Sequence, residues 1–182
     1  MDLVESLAML EDVDALHEGR LLVLLAAFSG RGGSGEIEGL TKLAKLDFLL
    51  RYPVLLERAL TARGKSTTAV HVEEHERNNV ESKMVRYRFG PWDPRHRRFV
   101  NLLVAKGLAR VRVEGRTVKI GPTQRGLKLA KRLAQTPEFR DVARRASALH
   151  SSLDLSASRL VTFVYSTFPE VVSLRMNEAI EP

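Results

Sequence analysis

Cysteine is absent from the 182 residues of this sequence. The chain therefore cannot form disulfides, use a thiol nucleophile or build a thiolate zinc site. Long hydrophobic runs are also lacking, because the longest is Leu21–Phe28, eight residues, and a membrane-spanning helix needs about 20. Met1–Glu5 is acidic and lacks the basic start of a signal peptide. From these absences we expect a cytoplasmic protein that does not enter a membrane.

Acidic residues are scarce in the middle of the chain. Residues 81–132 contain 15 Lys and Arg against 3 Asp and Glu, a net charge of +12. Residues 1–80 and 133–182 carry −4 and −1, which together with the middle block give the +7 of the whole chain. A basic block of this size indicates a surface that faces duplex DNA or another acidic partner. A solvated basic surface without a partner is the alternative interpretation.

Apolar residues make up 44% of the chain, which is enough for a single hydrophobic core. Their spacing and the capping residues predict a mainly helical protein with a small β-hairpin. The predicted helices are Leu16–Phe28, Leu40–Arg51, Val54–Leu60, Arg95–Lys106, residues 123–134, residues 137–149 and residues 156–168. The predicted strands are Met84–Phe89 and the two arms of the hairpin, Leu108–Val113 and Arg116–Ile120, joined at Glu114-Gly115.

The helix predicted over Leu40–Arg51 combines an apolar face with several charged residues. Its leucines share one face, and Lys42 and Lys45 lie off that face. Asp47 falls at the edge of the apolar face, and Arg51 follows it by four residues. Residues at this spacing are neighbours on a helix surface, so the sequence predicts an ion pair between Asp47 and Arg51.

The order of the elements is helix, helix, basic helix, hairpin and capped helix, which is the layout of a winged helix-turn-helix. The predicted fold is therefore mainly α with a small β-hairpin, in which a winged helix-turn-helix core is followed by C-terminal helices. We place a winged-helix-like domain at residues 1–135, with an inserted helix and a loop at about 53–80. Within this insertion, the polar residues 61–80 predict a mobile loop. Residues 136–182 are predicted as a helical C-terminal extension.

In DNA-binding proteins of this class, one helix enters the major groove and the hairpin flanks it on the backbone. On the wheel of the third helix, Arg97, Arg98 and Asn101 gather opposite the apolar residues. Arg and Asn can pair with guanine and adenine, and hairpin cations can contact phosphates. The candidate contacts with DNA or an acidic partner are Arg95, Arg97, Arg98, Asn101, Arg110, Arg112, Arg116 and Lys119. The candidate contacts with a protein partner are Trp92, Leu160, Phe163, Val164 and Phe168.

Three short motifs match nucleotide-binding or catalytic sequences by letter only. Gly30–Gly35 matches a dinucleotide-binding loop but follows a predicted helix instead of a strand. Gly64-Lys65-Ser66 lacks the first glycine of a phosphate-binding loop. His71–His75 matches an inverted zinc-protease motif but lies in a polar stretch without a third ligand. We therefore expect no catalytic residue, metal or cofactor, and a protein that is not an enzyme.

Four stretches of the chain together resemble a known family. They are Leu40–Pro53, Glu81–Tyr87, Tyr87–Pro94 and Gly121–Gly126. They resemble the small middle component of bacterial three-component ABC ATPase systems of the Lamassu-like defence group, over about residues 16–135. The runs L-D-F-L-L-R-Y-P and R-Y-R-F-G-P-W-D-P are the more specific part of the resemblance.

The resemblance implies an accessory subunit without an active site of its own. Such a subunit lies between a coiled-coil, SMC-like ABC ATPase and an effector, often a nuclease, in defence against phage or plasmid DNA. The resemblance assigns no catalytic position. The alternative function is a stand-alone transcription regulator of the winged-helix class, which would bind two DNA half-sites as a homodimer.

Overall fold

The computed structural model describes residues 3–78 and 83–182, and this part of the chain is mainly helical with a small antiparallel sheet. The helices are α1 (Leu3–Phe28), α2 (Gly39–Arg51), α3 (Pro53–Ala62), α4 (His96–Ala105), α5 (Gln124–Leu133), α6 (Pro137–Leu153), α7 (Ala157–Thr167) and α8 (Pro169–Ser173). The strands are β1 (Ile37–Glu38), β2 (Val85–Tyr87), β3 (Gly90–Trp92), β4 (Ala109–Glu114) and β5 (Thr117–Pro122). The first helix begins at Leu3 and is longer than the predicted Leu16–Phe28.

The larger sheet has the strand order β1-β5-β4, and each pair is antiparallel. In its hairpin Glu114 pairs with Thr117, so the turn consists of Gly115 and Arg116, one residue later than predicted. Gly115 has a φ of +62°, a left-handed conformation that glycine adopts without a steric penalty. Strands β2 and β3 form a separate two-stranded sheet, and Ala179 adds a single bridge to it.

Helix α2 is surrounded on all sides, which corrects the expectation of an amphipathic helix. Every residue from Lys42 to Arg51 is buried, because α2 packs against α3, α6, α7, β3 and β5. Lys45 Nζ lies 3.3 Å from the backbone oxygen of Pro91, and burial lowers the pKa of Lys45 to about 8. Lys42 reaches the surface through an ion pair with Asp154 at 2.7 Å.

The C-terminal helices contribute to the same hydrophobic core as the preceding elements. Helix α6 packs along α1, and α7 packs along α2. Leu160, Val164 and Phe168, predicted as contacts for a protein partner, are fully buried inside this chain. They fill the core because α7 covers α2, and they are therefore not available on the surface. The predicted division at residue 135 stays a prediction, although residues on both sides of it share this core.

The segment predicted as a mobile loop at 61–80 is held against α6 over its described part. Val70 is fully buried, and Glu74–Arg77 forms a short 3-10 helix. The guanidinium of Arg145 donates hydrogen bonds to the backbone oxygen of Val70 and to the carboxylate of Glu76, each at 2.7 Å. Residues 79 and 80 of that prediction lie outside the described residues. In the part of the chain that is described, no helix has the length and apolar character that crossing a bilayer requires.

Candidate nucleic-acid interface

Most cations of the hairpin form ion pairs with nearby carboxylates. Glu36 lies 2.8 Å from Arg112 and 3.3 Å from Arg110, and a hydrogen bond from Arg112 is the largest cause that lowers the pKa of Glu36. Lys119 forms ion pairs with Glu114 and, at 3.6 Å, with Glu38. Strand β1 pairs with β5 and brings Glu36 and Glu38 beside the hairpin. These three hairpin cations can therefore contact phosphates only after an existing ion pair breaks.

Helix α4 presents its polar face to solvent and buries its apolar face. Phe99, Val100 and Leu103 are buried, as the helical wheel predicts. Arg97 and Asn101 are exposed, and no described carboxylate forms an ion pair with Arg97. Arg98 is exposed but pairs with Asp14 of α1 at 2.5 Å.

Helix α5 carries a basic surface that sequence reasoning did not assign. Its buried side consists of Gly126 and Ala130, and its exposed side contains only amide and cationic residues beyond the half-buried leucines. The exposed cations are Arg125, Lys128, Lys131 and Arg132. No described carboxylate forms an ion pair with any of them, and α5 itself contains no acidic residue. The absence of Asp and Glu over Gln124–Leu133 is the sequence signal that points to this surface.

The predicted contact residues therefore separate into two groups. One group is held in ion pairs and consists of Arg95, Arg98, Arg110, Arg112 and Lys119. The other group is solvent-accessible without such a pair in the described chain and consists of Arg97, Asn101 and Arg116. We define the basic surface as Arg97, Arg116, Arg125, Lys128, Lys131 and Arg132. Of the candidates for a protein partner, Trp92 and Phe163 are half-buried and stay predictions.

A buried ionic cluster joins helix α4 to the rest of the chain, and Asp47 of α2 lies at the centre of this cluster. Asp47 is fully buried and accepts hydrogen bonds from Arg20 Nε at 2.7 Å, Arg51 Nε at 2.8 Å and His96 Nε2 at 2.8 Å. The predicted ion pair between Asp47 and Arg51 is confirmed, at 2.7 Å. Because these partners come from α1, α2 and α4, the cluster joins the three helices at one point. We call these four residues together with Asp93 the buried ionic cluster.

Asp93 completes the cluster at the start of α4. Its carboxylate accepts hydrogen bonds from Arg51 at 2.8 Å and from the backbone N–H of Arg95 at 2.9 Å. Burial opposes ionisation of both carboxyl groups, but the neighbouring arginines and His96 hold the pKa of Asp47 well below its usual range. Hydrogen bonds from Arg95, together with the charge of Arg51, lower the pKa of Asp93 in the same way. Both carboxylates are thus ionised and hydrogen-bonded within the chain, and we assign them a structural role in holding α4.

His17 of α1 stacks on the ring of Phe99 of α4, with the ring centroids 5.0 Å apart. Burial, together with the charge of the nearby Arg20, lowers the pKa of His17 from 6.5 to about 3. Between these two pKa values, His17 is protonated in the unfolded chain and neutral in the folded chain, so the free energy of unfolding falls as the pH falls. We expect a loss of up to about 1.4 kcal/mol per pH unit below pH 6.5.

Urea unfolding between pH 7 and pH 5.5 measures this slope, and His17→Gln is expected to flatten it. The window lies above the pH at which the carboxyl groups of Asp47 and Asp93 take up protons in the unfolded chain, where their ordinary pKa is 3.8. His150→Gln is the matched control, because His150 is partly exposed. A slope that is equally steep in His17→Gln would show that another group binds the proton.

The segment that matches a zinc-protease motif by letter lies at the surface of the described chain. His71 pairs with Glu73, and Glu74 pairs with Arg77, all at exposed positions. Among residues 3–78 and 83–182, no group of three His, Asp or Glu side chains is placed to hold a metal ion. Comparisons with known proteins found no matching family model, no matching curated protein and no matching solved structure.

Proposed function

We propose that this chain is a non-enzymatic, winged-helix accessory subunit of a bacterial defence complex, which links an SMC-like ABC ATPase to an effector and contacts duplex DNA. The motifs that resemble the Lamassu-like middle component support the wider assignment. The basic surface supports the contact with DNA. In this proposal the residues Leu46–Pro53 and Arg86–Pro94, which carry most of the resemblance, shape the helix framework and do not react with a substrate.

The order of elements supports the winged-helix interpretation. Helix α1, strand β1, helix α2, helix α4 and the hairpin follow one another, with α3 and β2–β3 inserted between α2 and α4. The first strand pairs with the last strand of the hairpin, giving the order β1-β5-β4. In a winged helix, a short strand before the second helix is expected to pair with the hairpin and complete a three-stranded sheet. In this arrangement α4 takes the position of the helix that contacts DNA.

The observation that carries the proposal is the set of exposed cations without carboxylate partners on α4, α5 and the hairpin turn. Cations in ion pairs lose part of their attraction for phosphate, because the partner carboxylate repels it. The cations of the basic surface have no such neighbour among the described residues. Neutralised phosphates release counterions, so binding through this surface is steeply dependent on salt.

The double variant Arg97→Gln with Lys128→Gln tests the contact. We expect the affinity for a 25-base-pair duplex to fall at least about tenfold at moderate salt, and the slope of log K against log salt to become shallower by about 2. Fluorescence anisotropy of labelled duplex at four salt concentrations measures both. The accessory role predicts no strong preference among duplex sequences.

The matched control is Arg63→Gln with Arg159→Gln, which removes the same charge from exposed positions directly after α3 and on α7. This control is expected to retain the affinity and the salt slope of the unmodified chain. If both double variants lose the same affinity, the net charge of the chain attracts DNA and the basic surface is not the site. If neither changes the slope, the proposed contact is wrong.

A further inference from the structure

An apolar groove lies between helices α1, α4, α5 and α6 and has a volume of about 510 Å³. We call it the α1–α5 groove. Its apolar lining consists mainly of Leu22, Leu103, Leu108, Leu129, Leu133 and Phe139. Gly19 of α1 allows the ring of Phe139 to pack directly against the helix backbone, because a Cβ at this position would lie 2.5 Å from that ring. The groove is thus an apolar depression beside α1 that none of the described side chains fills.

Apolar side chains continue from the groove to the exposed surface of α1. Leu16 lines the groove and is 45% exposed, and Val13, one turn before it, is 43% exposed. Exposed apolar residues are common singly, but a row that continues a groove marks an interaction site. The apolar surface therefore extends beyond the groove in the direction of the helix axis.

The two borders of the groove differ in charge. On the α1 border, Asp14 is neutralised by Arg98, and Glu18 is neutralised by Lys106 at 2.6 Å. On the α5 border, Arg125 precedes Leu129 by four residues and Arg132 follows it by three, so both lie beside the apolar lining. Neither arginine has a carboxylate partner among the described residues, and the net charge of the described side chains along the groove is therefore positive.

We propose that the α1–α5 groove binds an amphipathic helix of a partner protein, with apolar residues on one face and acidic residues beside them. Helices bind such grooves through apolar anchors at the spacing i, i+3 or i+4, and i+7. The apolar lining accepts these anchors, and Arg125 and Arg132 pair with the flanking carboxylates. A nucleic-acid backbone would leave the apolar lining uncovered, whereas a helix covers both features.

This inference rests on the proposed accessory function only in requiring a partner protein. It shares Arg125 and Arg132 with the basic surface, but the DNA contact is tested at Arg97 and Lys128. The variant that weakens DNA binding is therefore expected to bind the helix normally. Failure of one proposal is distinguishable from failure of the other, because each has its own variant and its own ligand.

A synthetic peptide of 18 residues provides the probe. It carries leucines at the spacing i, i+4, i+7 and i+11 and glutamates beside them, and a second peptide carries lysines in place of every glutamate. We expect saturable binding of the acidic peptide by fluorescence anisotropy, and binding of the basic peptide at least about tenfold weaker. Because the sequence has no cysteine, Ala15→Cys provides a single labelling position in the groove, and its fluorescence reports where the peptide binds.

Two variants separate groove binding from general charge attraction. Arg125→Glu with Arg132→Glu is expected to reverse the preference between the two peptides, whereas Arg63→Glu with Arg159→Glu, which changes the charge equally, is expected to preserve it. Leu16→Glu is expected to abolish binding of the acidic peptide, and circular dichroism checks that each variant is folded. Equal binding of the two peptides, or no binding of either, overturns the proposal. A dimer of the chain alone that Leu16→Glu converts to a monomer also overturns it, because a second copy then fills the groove.

Discussion

Asp47→Asn is expected to lower the free energy of unfolding by about 3–5 kcal/mol, because it leaves the buried Arg20 and Arg51 without their shared carboxylate. An asparagine has nearly the same shape and can still accept a hydrogen bond, so the change isolates the charge. Two guanidinium groups held close together in a buried site repel each other strongly when no anion separates them. Urea unfolding followed by circular dichroism measures the loss.

The cluster also explains why removal of this single carboxylate affects three helices. Asp47 contacts side chains from α1, α2 and α4, so relief of the repulsion requires that these helices move apart. His96 adds to the effect: its Nε2 lies 2.8 Å from Asp47, and its Nδ1 has no hydrogen-bond partner among the described residues. The hydrogen bond to Asp47 therefore holds this buried ring in place.

Asp141→Asn is the matched control, since it removes the carboxylate of an ion pair with Arg144 on the surface of α6. Exposed pairs of this kind contribute about 0.2–1 kcal/mol, and the control is expected to fall in that range. A loss of less than 1 kcal/mol in Asp47→Asn would show that the cluster is not essential to the fold. In that case α4 must be held by its apolar side alone.

The sequence predicts the local part of this cluster and misses the distant part. The pair Asp47 and Arg51 follows from the spacing of four residues on one helix. Arg20 and His96 lie 27 and 49 residues away from Asp47 along the chain, and no local pattern brings them together. The helices follow well from apolar spacing and capping residues, whereas the burial of α2 depends on elements that arrive later in the chain.

The candidate interface shows the same division between local and distant information. The exposed face of α4 follows from its helical wheel, but the neutralisation of Arg112 by Glu36 depends on the pairing of β1 with β5. Leu160 and Phe168 have apolar side chains of the kind found in partner surfaces, but the packing of α7 on α2 places them in the core. Only the fold decides which apolar residues and which cations stay on the surface.

Tyr52, which lies in one of the motifs that carry the family resemblance, also has a structural role. Its hydroxyl donates to the backbone oxygen of Ile180 at 2.8 Å and accepts from the backbone N–H of Met84 at 2.9 Å. The ring is fully buried, and this burial raises its pKa to about 12. The tyrosine therefore joins α2 to the strand β2 region and to the end of the chain, alongside the ionic contacts of Asp47, Arg51 and Asp93.

Gly126→Ala is expected to lower the free energy of unfolding by about 3 kcal/mol, at the upper end of the range for overpacked sites. A Cβ at this position would lie 1.9 Å from the backbone oxygen of Leu108, and backbone cannot move aside as a flexible side chain can. The same oxygen accepts a hydrogen bond from the N–H of Thr123, whose side chain caps α5 by accepting from the N–H of Gly126 at 3.0 Å. The motif Thr123-x-x-Gly126 therefore fixes the start of α5 against β4.

Two effects oppose each other in this substitution, and their magnitudes decide the sign. Alanine is favoured over glycine inside a helix by about 1 kcal/mol, which alone would stabilise α5. The clash with Leu108 outweighs this gain, because relief requires α5 to shift away from the sheet. Gly32→Ala is the matched control, since its nearest neighbour, the Ser34 hydroxyl, would lie at an ordinary 3.8 Å. Thermal and urea unfolding of both variants measure the difference. A Gly126→Ala variant as stable as the Gly32→Ala variant would show that α5 can move freely, and the cations of α5 would then have no fixed position relative to α4.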